Sequence, residues 1–326
     1  MLALPHRPSL SLCLTPKRLG VSKLLHIRPL YCLRLIIGCL FLTSCALQHQ
    51  LLQSAGNAIA IQGGDEEEDL EIAQNASAFY IKLSEAMLRA VPDHVALAES
   101  TTATLTQYAY AFVATQAERV EAQSSKQAFA LRIRAAKLYT RAKVHGLKAL
   151  ELQQAGLLHA LEKADLALAQ PPQLQAPYRL KSELTGLAYW SAASWAGAIS
   201  LSKDSPELVA DLPQVVALAK LAYDAQPNFG NGALASLMGA LEMAKAGGSK
   251  TQALAYFDLA LKTSKRQDPG ALVSKAENYA LPMADPILFE SLLREALDCK
   301  PSKNDVATQV MLTRARWLLE HAEDYF

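Results

Sequence analysis

Apolar and small residues recur at helical spacing along most of the chain. Between Leu70 and Leu88 they follow the ~3.6-residue period of an amphipathic helix, which we expect to end at Pro92. Asp93 is predicted to be the N-cap of the next helix, and the same period predicts a long helix over residues 127–152. No alternation of Val, Ile or Thr is long enough to predict a strand. The pattern therefore predicts an all-α fold.

Proline marks the predicted junctions between helices. Pro171-Pro172 is the clearest junction, and it divides the chain into an N-terminal helical half, residues 65–170, and a C-terminal half, residues 171–326. In the C-terminal half, Ser205-Pro206 and Asp285-Pro286 each have the order of an N-cap followed by proline at the first helical position. We therefore expect a helix to begin at each pair.

The C-terminal half contains an internal repeat. Ala222, Ala260 and Ala296 lie 38 and 36 residues apart, and each precedes a proline that would end its helix. These intervals approximate the ~34-residue period of tetratricopeptide repeats, in which small residues let two helices pack closely. Gly247-Gly248 would form the turn inside the middle repeat. The repeat predicts helical hairpins that form a tetratricopeptide-like superhelix or bundle.

The first 44 residues have the features of a secretory signal. Residues 35–42 form an apolar run that is much shorter than the ~20 residues needed to span a bilayer, and basic residues precede it. The sequence Leu-Thr-Ser-Cys at residues 42–45 resembles the lipobox of bacterial lipoproteins, whose cysteine is acylated and becomes the mature N-terminus. The resemblance implies a periplasmic protein with a lipid anchor on Cys45 and a tether over residues 45–64. An ordinary secretory signal with an unrelated cysteine is the alternative.

Two details of this segment lead to further expectations. Its 44 residues exceed the usual length of about 15–30, so we expect translation to start near Leu19 or Val21. Ala46 follows the cysteine in place of the aspartate that is commonly linked to inner-membrane retention. We therefore favour the outer membrane over the inner membrane.

The charge and the cysteines of the chain exclude some classes of partner and site. The first 44 residues contain six of the 32 Lys and Arg residues and none of the 31 acidic ones, so the rest has a formal net charge of −5. A mildly acidic surface of mixed sign argues against a nucleic-acid partner. Three of the five cysteines precede Cys45, so Cys299 remains as a lone thiol. A disulfide or a cysteine-based metal site is therefore excluded after processing.

The sequence lacks motifs for catalysis or cofactor binding. The histidines after Cys45 do not form His-Glu-x-x-His or another ligand spacing. There is no Gly-rich phosphate loop and no Gly-x-Ser-x-Gly elbow. We therefore expect no catalytic residues, no metal and no cofactor.

Two of the three tryptophans lie close together in a segment rich in Ala, Ser and Gly. Trp190 and Trp195 are five residues apart, about 140° around a helix, so both cannot face one narrow seam. One interpretation is that these rings and Tyr189 fill the core against alanine neighbours. The other is that they line an apolar groove or channel, with Tyr223 and Phe229 on the same concave surface.

Several segments are similar to those of a known family. They are parts of residues 65–120, including Gln-Tyr-Ala-Tyr-Ala-Phe-Val at 107–113, then Gly-Leu-Ala-Tyr-Trp-Ser-Ala-Ala-Ser-Trp-Ala at 186–196, Val-Ala-Asp-Leu-Pro at 209–213 and Asp-Ala-Gln-Pro-Asn-Phe-Gly at 224–230. They resemble the lipoprotein T component of tripartite ATP-independent periplasmic (TRAP) transporters. The resemblance implies an all-helical homotrimer that associates with the solute-binding P component and has an apolar cleft for a hydrophobic small molecule. The resemblance implies no set of catalytic residues. The one functional residue that it assigns to this chain is the lipobox cysteine, at Cys45.

Three classes of function are compatible with these features. The first is a membrane-tethered T component that docks a solute-binding protein and helps to pass an apolar ligand. The second is a tetratricopeptide-like scaffold in envelope assembly that binds no ligand. The third is a cell-envelope enzyme, for which the sequence offers no catalytic residue.

Overall fold

The computed structural model describes residues 50–61, 67–163, 178–301 and 305–326. The described residues are mostly helical and none of them forms a strand, which confirms the predicted all-α fold. Those from Leu51 to Phe326 belong to one compact unit. The predicted signal, the lipobox cysteine Cys45 and the junction at Pro171-Pro172 lie outside the described residues. The division into two halves therefore stays a prediction.

The helices follow one another with short connections. Residues 50–61 are helical (α1), and the later helices are α2 (Leu70–Ala90), α3 (Val95–Tyr108), α4 (Thr115–Glu121), α5 (Ser125–Gln153), α6 (Leu157–Glu162), α7 (Thr185–Ser200), α8 (Pro206–Val209), α9 (Leu212–Ala225), α10 (Ala233–Ala244), α11 (Lys250–Thr263), α12 (Pro269–Lys275), α13 (Pro286–Asp298) and α14 (Val306–Glu320). Two π-helical segments extend this set: π1 (Ala109–Ala114) joins α3 to α4, and π2 (Ala276–Ala280) continues α12. The long helix predicted over residues 127–152 is α5.

The pairs Ser205-Pro206 and Asp285-Pro286 begin helices as predicted. Asp285 is the N-cap of α13, and its Oδ1 accepts a hydrogen bond of 2.9 Å from the backbone N–H of Leu288. Pro286 follows at the first helical position, where its missing N–H has no partner to lose. Ser205 precedes Pro206 in the same way at the start of α8.

The prediction for the start of α3 is wrong by one residue. His94, not Asp93, is the N-cap, and its Nδ1 accepts a hydrogen bond of 3.1 Å from the N–H of Leu97. Its Nε2 lies 3.1 Å from the backbone oxygen of Gln53 in α1 and donates to it, because Nδ1 already accepts. The imidazole therefore bonds to both the start of α3 and α1, whereas the Asp93 carboxylate accepts a hydrogen bond from the Gln53 side chain of α1 at 3.3 Å.

Helix α7 is central to the largest hydrophobic core. It packs against α3, α5 and α9, so its apolar residues are not confined to one face. Small residues permit this close packing: a Cβ added to Gly197 would lie 2.8 Å from the ring of Tyr139 in α5. A second core is formed by α10 to α14 around Leu272, Phe289 and Leu318, all fully buried. Each such side chain stabilises the fold by about 1.5–3 kcal/mol relative to an exposed one.

The alanines of the predicted repeat are all buried at helix contacts. Ala222, Ala260 and Ala296 are 0% exposed. Between the first two, α10 and α11 form a close hairpin in which a Cβ on Gly239 would lie 2.8 Å from the ring of Phe257. The hairpin turns at Gly247, whose φ of 70° favours glycine. These contacts agree with the packing expected for the repeat, and the tetratricopeptide-like superhelix stays a prediction.

Candidate functional site

A cleft of about 900 Å³ lies between helices from early and late in the chain. One side is formed by parts of α3, π1, α5 and α7 with the turn at Phe229–Gly232, and the other by parts of α10, α12, π2 and α14. Its volume falls within the range of about 300–1,000 Å³ that is usual for small-molecule sites. The cleft is therefore the candidate functional site.

Three of the sequence-predicted residues form an aromatic cluster on one wall of the cleft. The ring centroids of Tyr189 and Trp190 are 4.8 Å apart, and those of Tyr189 and Phe229 are 5.5 Å apart. All three side chains are partly exposed and line the cleft. Residues from α7 and from the turn before α10 thus provide one continuous aromatic surface.

The turn that carries Phe229 has an unusual backbone. Gly230, Asn231 and Gly232 have φ values of 61°, 53° and 101°, all in the left-handed region. Asparagine is one of the few residues with a side chain that adopts this conformation readily. Gly232 also lies against α11, where an added Cβ would be 2.7 Å from the backbone oxygen of Ala260. Close packing on α11 therefore fixes the turn that directs the chain along the cleft.

Segment π1 and the last residue of α3 add further aromatic residues to the cleft. Tyr108, Tyr110 and Phe112 all line it, and the centroids of Tyr108 and Phe112 are 5.5 Å apart. A π-helical turn contains one residue more than the corresponding α-helical turn, so it changes the direction of the side chains that follow. Such segments are frequent at functional sites. The second π segment, π2, faces the same cleft with Glu277 and Asn278.

A buried charge network lies behind this part of the cleft. Arg314 of α14 is only 7% exposed and donates to Glu277 Oε1 from Nε at 2.9 Å and from Nη2 at 2.6 Å. Its Nη1 donates to Glu118 Oε2 of α4 at 2.5 Å. Burial raises the pKa of the Glu277 carboxyl, against the opposing effect of Arg314. Tyr110 hydrogen-bonds to Glu277, and burial together with the Glu277 charge raises the pKa of its hydroxyl well above the ordinary value.

The wall formed by α10, α12 and α14 contributes polar groups of a different kind. Asp268 and Asp305 line the cleft as the N-caps of α12 and α14. Ser236 of α10 also lines it, and its Oγ is buried with no hydrogen-bond partner among the described residues. An unpaired buried hydroxyl costs about 1–3 kcal/mol of stability, so it is a group that a bound molecule can satisfy.

Two of the sequence-predicted residues are not part of the cleft lining. Trp195 is 3% exposed in the core, where its Nε1 donates to Asp211 Oδ2 at 2.9 Å and the Lys143 ammonium lies 4.3 Å from its ring centroid. Tyr223 packs edge-on against Tyr256, with 5.4 Å between the ring centroids. Both residues have extensive packing partners. Cys45 lies outside the described residues.

Several lining residues were not singled out from the sequence. Tyr110 and Phe112 lie in the segment 107–113, which indicates a family resemblance but not a position in a cleft. Asp268 was detectable as a potential cap, because it precedes Pro269 in the same order as Asp285-Pro286. Glu277 has no local signal, since its importance depends on contacts with α14.

The acidic, histidine and cysteine side chains of the described residues are not arranged as a metal site. Within the described ranges, no three His, Cys, Asp or Glu side chains are placed to hold a metal ion. The Cys299 thiol is partly buried, and burial raises its pKa, which disfavours the reactive thiolate.

Within the described ranges no helix is long and apolar enough to cross a membrane. The described residues thus form an all-helical arrangement with a large, partly aromatic cleft.

Comparison with known proteins shows the family to which this all-helical chain belongs. Residues 66–326 match TAtT, the TRAP transporter T-component family, and the chain belongs to this family. It is thus a component of a bacterial transporter and has an accessory role in transport, in a family that is not one of enzymes. A protein of Treponema pallidum (strain Nichols), described as uncharacterized, is 24% identical over 318 residues, which is 89% of this chain and 95% of that protein. The family match over residues 66–326 confirms the resemblance found in the sequence.

Three of the segments that carry the resemblance meet at the cleft. Tyr110 and Phe112 come from residues 107–113, Tyr189 and Trp190 from residues 186–196, and Phe229 from residues 224–230. They are far apart in the sequence and are joined only by the fold. These segments therefore contribute most of the aromatic residues of the cleft lining.

Proposed function

We propose that this chain is a lipid-anchored periplasmic T component that associates with the P component of a TRAP transporter and binds an apolar ligand in its cleft. The observation that carries the proposal is the aromatic cluster of Tyr189, Trp190 and Phe229, which lines a cleft of about 900 Å³. Partly exposed aromatic rings around a concave space are the usual lining of a small-molecule site. Trp195 and Tyr223 are not among the lining residues and are left out of the proposed ligand contact.

The apolar character of the ligand follows from the rings that line the cleft. Tyr189, Trp190, Phe229 and Phe112 present carbon surface to it, and this surface is favourable to bury against an apolar molecule. Burial stabilises such contacts by roughly 25 cal/mol per Å² of apolar area. Polar groups, among them Asp268, Asp305 and Ser236, line the same cleft, so an amphipathic molecule would satisfy both kinds of lining.

The membrane anchor rests on the lipobox at residues 42–45. Acylation at Cys45 would hold the protein on a membrane surface, and Ala46 favours the outer membrane. Replacement Cys45→Ser is expected to abolish lipidation, leaving precursor or a periplasmic form that no longer partitions into detergent. Partitioning of the variant like that of the wild type would contradict the anchor.

Homotrimer formation is proposed from the family alone. A closed ring with cyclic symmetry would be the expected arrangement. Light scattering of the purified lipid-free protein at micromolar concentrations measures the mass directly. A mass corresponding only to the monomer would count against the trimer.

The partner is tested by capturing a tagged full chain from cross-linked cells of the native bacterium. The account predicts recovery of a TRAP solute-binding component, with the same cross-linking applied to the Cys45→Ser variant to measure how far capture depends on the anchor. Capture of outer-membrane assembly proteins without a solute-binding component would support the ligand-free scaffold instead. The two outcomes distinguish the proposed function from its main alternative.

A further inference from the structure

Among the described residues, the charge of the cleft lining is one-sided. Three carboxylates line it, those of Asp268, Glu277 and Asp305. Among the described lining residues there is no Lys, Arg or His. Arg314 neutralises Glu277 from behind, because its guanidinium is bonded to Glu277 and Glu118. The negative charges of Asp268 and Asp305 are not compensated by a basic residue among the described lining residues.

The two aspartates also close the helix ends that could otherwise attract an anion. Asp268 Oδ1 accepts from the N–H of Gly270 at 2.8 Å, and Asp305 Oδ1 accepts from the N–H of Thr308 at 2.9 Å. Free N–H groups at a helix start favour an anion. At α12 and α14 the N–H groups are instead bonded to the carboxylates of Asp268 and Asp305, which supply the negative charge themselves. Burial raises the pKa of Asp268, and the charge of Asp305 adds to this rise, as expected for two carboxylates in one cleft.

The aromatic cluster and Asp268 line the same cleft. Burial is the main cause that raises the pKa of Tyr189 to about 12, and the charge of Asp268 contributes to this rise. Tyr189 is in turn in contact with Trp190 and Phe229. The faces of such rings carry partial negative charge and attract an organic cation, most strongly when the cation is desolvated. Aromatic rings beside a carboxylate form the usual environment for an ammonium group.

A separate observation indicates that a polar group of a ligand enters here. Ser236 is 7% exposed, lines the cleft and has an Oγ without a hydrogen-bond partner among the described residues. Its hydroxyl can accept from an N–H or donate to a ligand oxygen. The site therefore holds an unsatisfied hydrogen-bonding group in addition to its charge and its aromatic wall.

We propose that the cleft binds an amphipathic amine, with the ammonium group between Asp268 and the rings of Tyr189, Trp190 and Phe229 and the apolar body along the cleft. The proposal rests on the proposed function, in which the cleft binds a ligand, and adds its chemical class. A carboxylate with the same apolar body would place its charge beside Asp268 and Asp305. The cleft is thus expected to select amines over fatty acids.

The test compares three probes with the same eight-carbon chain. Octylamine, octanol and octanoate are titrated by calorimetry into the purified protein at neutral pH. Octylamine is expected to bind most tightly, octanol more weakly and octanoate most weakly. Octanoate binding as tightly as octylamine would overturn the proposal.

The variant Asp268→Asn locates the selection. Asparagine keeps the capping oxygen and removes the charge, so the start of α12 is preserved. Octylamine binding is expected to weaken about tenfold or more, as for the loss of one charge-assisted contact, while octanol binding stays the same. Asp285→Asn is the matched control, because Asp285 caps α13 outside the cleft lining, and it should leave both affinities unchanged. Equal octylamine affinity in Asp268→Asn and wild type would contradict the proposal.

The outcomes separate this proposal from the one on which it rests. Binding of octanol with no preference for octylamine overturns only the amine. Failure of all three probes to bind overturns both the amine and the ligand-binding cleft. Asp305→Asn provides a second variant at the start of α14, with the expected loss in the same direction.

Discussion

Single residues of α7 belong to two different environments. Trp195 is buried in the core and anchored through its Nε1 to Asp211, whereas Trp190 is partly exposed and lines the cleft. The five-residue spacing predicts different surroundings for the two rings, because it turns them about 140° apart. Which ring faces the cleft depends on the positions of α5 and α9, and these cannot be read from α7 alone.

The two tryptophans should differ when replaced by alanine. Trp195→Ala is expected to lower the free energy of unfolding by about 3–5 kcal/mol, because it leaves a cavity in the core. Trp190→Ala should cost much less and weaken binding of a neutral apolar probe, since its ring has fewer packing partners. Urea unfolding and probe titration measure both effects. Equal, large destabilisation by both changes, with probe binding per folded molecule unaltered, would leave only a packed helix.

Arg314 should be needed for stability in a manner that depends on pH. Arg314→Met leaves the buried Glu277 carboxylate without its partner, which is expected to cost about 3–5 kcal/mol at pH near 7.5. Burial already raises the pKa of Glu277 above that of the unfolded chain, and loss of Arg314 raises it further. A carboxyl with a raised folded pKa favours the folded state only when protonated. The destabilisation should therefore shrink as the pH falls toward 5.

Unfolding midpoints at the two pH values test this directly. Arg316→Met is the control, since Arg316 is exposed on the same helix and its loss should change stability by no more than about 0.5 kcal/mol. A destabilisation by Arg314→Met that is the same at both pH values would show that Glu277 does not take up a proton.

At the scale of helices and turns, the sequence predicts much of the structure. Helix α5 and the starts of α8 and α13 follow from hydrophobic period and from capping residues. The two π segments do not, because one extra residue in a turn leaves the apolar pattern almost unchanged. The sequence does not predict His94 as the cap of α3, because histidine is not among the preferred N-cap residues and its second hydrogen bond is with Gln53, 41 residues earlier.

The hairpin of α10 and α11 depends on one glycine. Gly239→Ala would place a Cβ 2.8 Å from the Phe257 ring, so we expect a loss of about 1–3 kcal/mol of stability from overpacking. Combining it with Phe257→Leu should cost less than the sum of the two single changes, because the smaller side chain yields space. Thermal unfolding of the two single variants and the double variant measures the coupling. Strict additivity would show that the two helices are not packed this closely.

At the scale of the whole molecule, the cleft is a product of long-range contacts. Arg314 and Glu118 are 196 residues apart in the sequence and are joined by a hydrogen bond. The aromatic cluster likewise combines α7 with the turn before α10. The sequence indicates aromatic candidates and the family, but it cannot show that Tyr189, Trp190 and Phe229 share one wall while Tyr223 does not. That separation depends on how the helices pack.

The central claim is that this T component binds an apolar molecule in the cleft. The most direct measurement is titration of a neutral fluorescent probe, such as N-phenyl-1-naphthylamine, into the wild type and the cleft-filling variant Ala193→Phe. Ala193 lines the cleft, whereas Ser200→Phe adds the same ring at the exposed end of the same helix. We predict saturable binding to the wild type and to Ser200→Phe, and binding at least about tenfold weaker to folded Ala193→Phe. No saturable binding to the wild type, or equal affinity in all three proteins, would contradict the account.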